Sequence, residues 1–122
     1  MKGVLLLAVN RWQDIYIHLK ESFDTYSPGI KLGECEEPYV VVKNDGSTKH
    51  PNFSTDIDLY AVMCYVPKQS YSSLETLIQQ VKKEMKELEP MIMPYGLQTP
   101  SFYDDALKAH MISISYRNYK KL

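Results

Sequence analysis

The chain reads as a small α+β domain, a mainly antiparallel sheet with two helices packed on one face, and three observations lead there. Two separated stretches carry apolar residues at three- and four-residue steps, the repeat of a helix with one buried stripe. Two further stretches, 39–43 and 57–66, are β-branched or alternating runs that suit strands. The tail alternates again, with Ile112, Ile114 and Tyr116 on one face and Met111, Ser113, Ser115 and Arg117 on the other. Helices and strands in this mixture close a core by laying the helices on the sheet.

The first helix is expected over about residues 3–24, where Leu5, Ala8, Val9, Trp12, Ile15, Tyr16, Leu19 and Phe23 share a stripe. Ser27, Pro28 and Gly29 follow as stop signals. YVVVK at 39–43 predicts a short strand, and NDGS at 44–47 a tight turn and loop, since Asp-Gly accepts left-handed backbone angles. In 57–66 the odd positions are all apolar, while the even ones change from Asp58 to Tyr60, Val62, Cys64 and Val66. A strand that starts wet and finishes buried on both faces belongs in the middle of a sheet. Pro67 ends it, and Ser72 with Glu75 three residues later predicts a capping box opening a second helix over about 72–88. Leu74, Leu77, Ile78, Val81, Met85 and Leu88 form its stripe, with Lys82, Lys83 and Lys86 toward the end that the helix dipole makes negative. A short strand near 98–103 is expected to pair back onto the tail through a turn at Asp104-Asp105.

At 122 residues the chain fits one domain, 1–122, large enough to bury a core. Charged residues make up 24%, hydrophobic ones 44%, and the formal net charge is −1. That balance excludes a disordered chain and a strongly basic nucleic-acid-binding surface. Cys35 and Cys64 lack metal-ligand spacing and are expected as free thiols. The apolar run at 4–9 is too short for a signal core, and no segment approaches the ~20 apolar residues of a membrane span. These features lead to the expectation of an intracellular protein, or one assembled inside a cell.

No constellation announces catalysis. GxSxG, HExxH, the Walker loop and GxGxxG are all missing, and neither a cofactor nor a metal is expected. Asp104-Asp105 reads as a turn whose acids cap backbone amides, and Asp56 and Asp58 as a solvated strand end. His18, His50 and His110 stand in three separate elements and read as structural or surface residues. Ten tyrosines are a milder signal, because a large ring with a polar tip suits half-exposed sheets and protein interfaces. Tyr71, Tyr95 and Tyr103 fall near helix ends and loops, where contact is plausible.

The ordered set PYVVVKNDG (38–46), DLYAVMCYVPKQSYSSLE (58–75) and GLQTPSFYDDALKAHMISISYRNYKKL (96–122) resembles small phage and prophage tail proteins of Gram-positive bacteria, the tail terminator or tail completion proteins. YxPxxxYSxLE and the TPxxYDDxxKAHxxSIxY-like run are its most specific parts. The first 37 residues share only an N-terminal helix. The resemblance implies a structural, non-enzymatic subunit that caps the tail tube, stops its polymerisation and joins the tail to the head connector. It implies a homo-oligomeric ring, hexameric in that family, with the tail-tube and head–tail connector proteins as partners, no nucleic-acid specificity and no membrane. The location implied is the virion tail or neck, after assembly in the host cytoplasm. A closed ring needs two different complementary patches per subunit. The segments 43–53 and 95–105 are expected to provide contacts, with Tyr95, Thr99, Tyr103, Asp104, Asp105 and Lys108 as the interface residues. Alternatives are a neck or head–tail connector subunit and, in a different class, a small enzyme or ligand-binding domain, which would require a deep pocket with convergent polar groups.

Overall fold

A computed structural model describes residues 11–49, 55–96 and 98–121. Its helices are α1 (Trp12–Lys20) and α2 (Leu74–Lys86). The strands are β1 (Thr25–Tyr26), β2 (Tyr39–Lys49), β3 (Thr55–Pro67), β4 (Met93–Pro94), β5 (Phe102–Asp104) and β6 (Ala109–Lys121). They form one sheet in the order β1-β2-β3-β6-β4, with β5 also on β6. Only the β1–β2 pair is parallel. The expected α+β class and mainly antiparallel sheet are therefore seen.

β3 is central, paired along its whole length with β6 and over most of it with β2. Val62 lies opposite Val42 on one side and Ile114 on the other, so three β-branched side chains cross one face in a row. That face carries Val40, Val42, Tyr60, Val62, Cys64, Val66, Ile112, Ile114 and Tyr116, all buried against Ile15 and Leu19 of α1 and Leu74, Leu77, Ile78, Val81 and Met85 of α2. Both helices thus cover the same face, as expected. Each fully buried aliphatic side chain there contributes about 1.5–3 kcal/mol. A smaller cluster of Cys35, Tyr39, Val41, Tyr65 and Ala109 closes one end of the opposite face. Cys35 and Cys64 therefore sit in different clusters, and both thiols are free.

Local sequence misplaces several boundaries. α1 ends at Lys20, earlier than expected, because Ser22 and Phe23 turn their amides back to the Leu19 carbonyl at 3.0 and 2.9 Å. The chain then enters the sheet as β1. Expected helical residues 3–10 lie outside the described residues. Asn44–Ser47 is no hairpin turn: β2 runs on to Lys49, and Asp45 and Gly46 form a bulge between the Asn44–Tyr60 and Ser47–Asp58 pairs. Gly46 supplies φ +87° for it. The Ser72–Glu75 capping box does not form. A 3₁₀ turn, Lys68–Ser73, runs directly into α2, no side chain caps it, and the Leu74 amide bonds to the Tyr71 carbonyl. The preceding turn satisfies what the box would have, and Glu75 accepts instead from Gln79 at 2.8 Å.

Candidate functional site

The expected interface residues fall along the outer edge of β6. Met93 and Pro94 pair with Arg117 and Tyr116, after which the Tyr95 amide bonds to the Ser115 carbonyl at 3.0 Å. Thr99 makes a two-way contact, its amide donating to the Ser113 carbonyl and its hydroxyl accepting from the Ser113 amide, both at 3.0 Å. Four steps of the outer segment, 95 to 99, pass only two of β6. Gly96, within this stretch, takes a φ of +72° that is open to glycine. β5 then pairs Phe102, Tyr103 and Asp104 with Met111, His110 and Ala109.

Asp104, Asp105 and Lys108 meet in the β5–β6 turn. Asp104 Oδ1 accepts from the Leu107 amide at 3.0 Å, the capping role expected of a turn acid. Asp105 Oδ1 lies 3.2 Å from Lys108 Nζ on the surface, and that carboxylate raises the Lys108 pKa. Lys108 takes φ +51°, unusual for a side chain of its size, and its carbonyl accepts from the Lys68 amide at 3.0 Å. The two acids thus divide: Asp104 holds the turn and Asp105 faces solvent.

Tyr103 packs on His110, with ring centroids 5.1 Å apart, and His110 meets Tyr71 edge-on at 4.7 Å. His110 Nε2 donates to the Lys68 carbonyl at 3.0 Å, while the Tyr71 and Ser101 hydroxyls lie 3.0 Å apart. Tyr71 and His110, with Lys68, are the site residues that local reading could not join to the turn, since 42 positions separate Lys68 from His110. Phe102, which no local pattern marks, is 57% exposed; its alternation with Tyr103 points it outward from the strand. With Thr99, Pro100, Ser101 and Met111 it lines an open apolar hollow of about 460 Å³.

The six expected residues do not converge on a point. Tyr95 sits beside Ser115 and Asp104 beside Ala109, six positions apart on β6, so they form a line roughly 20 Å long. The other expected contact segment, 43–53, is β2 as far as Lys49, and positions 50–53, His50 among them, lie outside the described residues. Beside Lys108 a polar cleft of about 400 Å³ is lined by Glu34, Cys35, Glu36, Pro67, Lys68, Gln69 and Lys108. Burial raises the Cys35 pKa, the nearby Lys31 opposes that, and the thiol donates to the Glu37 carbonyl at 3.3 Å. The sulfur is thereby held in its less nucleophilic, protonated form.

No family model matches the chain, and no curated protein matches it. Among the described residues, no helix is long and apolar enough to cross a membrane.

Proposed function

We propose that the chain is a phage or prophage tail-terminator subunit that caps the tail tube, stops its growth and joins the tail to the head connector through a ring of identical copies. One observation carries the reading. The two sequence blocks with the most specific resemblance, 58–75 and 96–122, fold as partners: β3 lies along the whole of β6, and Lys68 and Tyr71 at the end of the first block contact Ser101, Lys108 and His110 in the second. The two motifs thus fall in one spatial unit. The outer segment of that unit presents Tyr95, Phe102 and Asp105 to solvent on a hydrogen-bonded edge, the kind of rigid support that a subunit contact requires.

In this reading Tyr95, Thr99, Tyr103, Asp105 and Lys108 touch a neighbouring subunit or the tube, and Asp104 keeps the turn in shape. The test is polymerisation of the cognate tail-tube protein with and without the purified chain. Tubes that stop lengthening, each with density at one end, are expected. Tubes of unchanged length with bare ends would overturn the proposal.

A further inference from the structure

We propose that His18, Glu84 and Glu87 form a binding site for a divalent metal ion of the zinc type, joining α1 to the C-terminal end of α2. His18 Nε2 lies 3.4 Å from Glu84 Oε1 and 3.4 Å from Glu87 Oε1, and the three donor atoms all fall within 4.8 Å of one another. A tetrahedral ion with ligand bonds of about 2.0–2.1 Å places neighbouring donors about 3.3–3.4 Å apart. Both histidine–carboxylate separations have that spacing, and both exceed the 2.7–2.9 Å usual for a good charge-assisted hydrogen bond. The ring nitrogen also lies 2.8 Å from the Glu84 carbonyl oxygen. All three of these neighbours are oxygen acceptors.

Glu84 lies in the last turn of α2 and Glu87 is its C-cap, where the helix dipole disfavours negative charge. Among the described residues, the ion-pair contacts of both carboxylates are to His18 alone. The two carboxylates share one imidazole and offer a cation two anionic oxygens, with Lys83 and Lys86 in the same last turn. Imidazole with two carboxylates suits zinc, whereas magnesium and calcium favour oxygen alone. Access is open as well: Glu87 is 58% exposed on its side chain, and a hollow of about 280 Å³ lined by Ser22, Phe23, Gln80, Lys83 and Glu84 adjoins the site. The ion displaces to solvent the proton that Nε2 otherwise directs at the Glu84 carbonyl, and that carbonyl oxygen, only 2.8 Å from the nitrogen, enters the shell as a further ligand, which solvent completes. This departs from the sequence expectation of no metal, since residues 66 positions apart show no ligand spacing along the chain.

The test is titration of the metal-stripped full chain with zinc chloride by calorimetry, and with cobalt chloride by visible absorption. One equivalent is expected, with cobalt d–d bands and no thiolate charge-transfer band. Glu87→Gln and His18→Gln should each weaken binding at least about tenfold, the usual scale for loss of a metal-site partner. Glu87→Gln alters an exposed side chain and should melt like the parent without metal, which keeps the comparison sound. No saturable zinc binding, unchanged affinity in both variants, a thiolate band, or an equal response to magnesium chloride would each overturn the assignment.

Discussion

Tyr71 and His110 meet edge-to-face with ring centroids 4.7 Å apart, and through this contact the turn entering α2 is locked to the hairpin that carries the proposed interface. His110 reinforces the lock with its bond to the Lys68 carbonyl. An aromatic contact of this kind contributes about 0.5–1.5 kcal/mol beyond its buried area, and the hydrogen bond about 0.5–1.5 kcal/mol. His110→Ala should therefore destabilise by about 1–3 kcal/mol in urea unfolding, more than Tyr71→Ala at its half-exposed position. A double-mutant cycle for the pair should give a coupling of about 0.5–1.5 kcal/mol. Additive effects would mean that the rings touch without holding anything.

The two adjacent acids should behave differently. Asp104→Ala leaves the Leu107 amide without its acceptor and should cost about 0.5–2 kcal/mol, the range for losing a side-chain cap. Asp105 is 85% exposed on its side chain, so Asp105→Lys should change stability by less than about 0.5 kcal/mol. It should nevertheless impair tail joining in a complementation assay. Normal infectivity from Asp105→Lys would remove that residue from the interface, and an unfolded variant would move it into the fold's support.

At Gly46 the φ of +87° meets open space, since a Cβ there would find nothing within 4 Å. Gly46→Ala thus isolates backbone strain from packing, and about 1–2 kcal/mol of destabilisation is expected. A neutral result would show that the bulge relaxes into another register, which amide exchange across the β2–β3 pair would reveal.

Burial pushes the Cys64 thiol up from 9.0 to about 12, and the phenols of Tyr39 and Tyr116 also rise above their usual 10.0. Each group holds its proton more tightly in the folded chain than in the unfolded one. Their contribution to stability is full below about pH 9 and is lost as the pH rises through 9 and above. Unfolding midpoints should hence fall above pH 9. At neutral pH, Cys64 thiolate should be scarcer than in the unfolded chain by on the order of a thousandfold, so thiol reagents should label Cys64 only after denaturant is added. Rapid labelling of both cysteines in the native chain would contradict the buried placement.

The parts of the fold that the sequence shows are those with a long enough period. β6 alternates from Met111 to Arg117, the apolar stripe of α2 recurs at helical spacing, and the double-sided burial of β3 is visible where its polar alternation stops. β1, β4 and β5 are two or three residues long, too short to carry any period. Asp45-Gly46 misleads because a tight turn and a glycine bulge both call for left-handed angles, and the choice depends on how far β3 continues opposite. The unformed capping box has a similar cause: Ser72 can cap only from outside the helical turns, and here it lies inside the 3₁₀ turn Lys68–Ser73 that leads into α2. At the candidate site, Asp104, Asp105 and Lys108 are legible because they act within one turn. The contacts of Tyr71, Lys68 and His110 depend on β3 and β6 being paired, which no local pattern encodes.

Electron microscopy of particles from a producing strain lacking this gene tests the terminator reading most directly, through tail length and head attachment. Overlong or unjoined tails, corrected by the gene supplied in trans, are expected. Tails of normal length that lack heads would contradict the terminator role in favour of a connector, and wholly normal virions would contradict both.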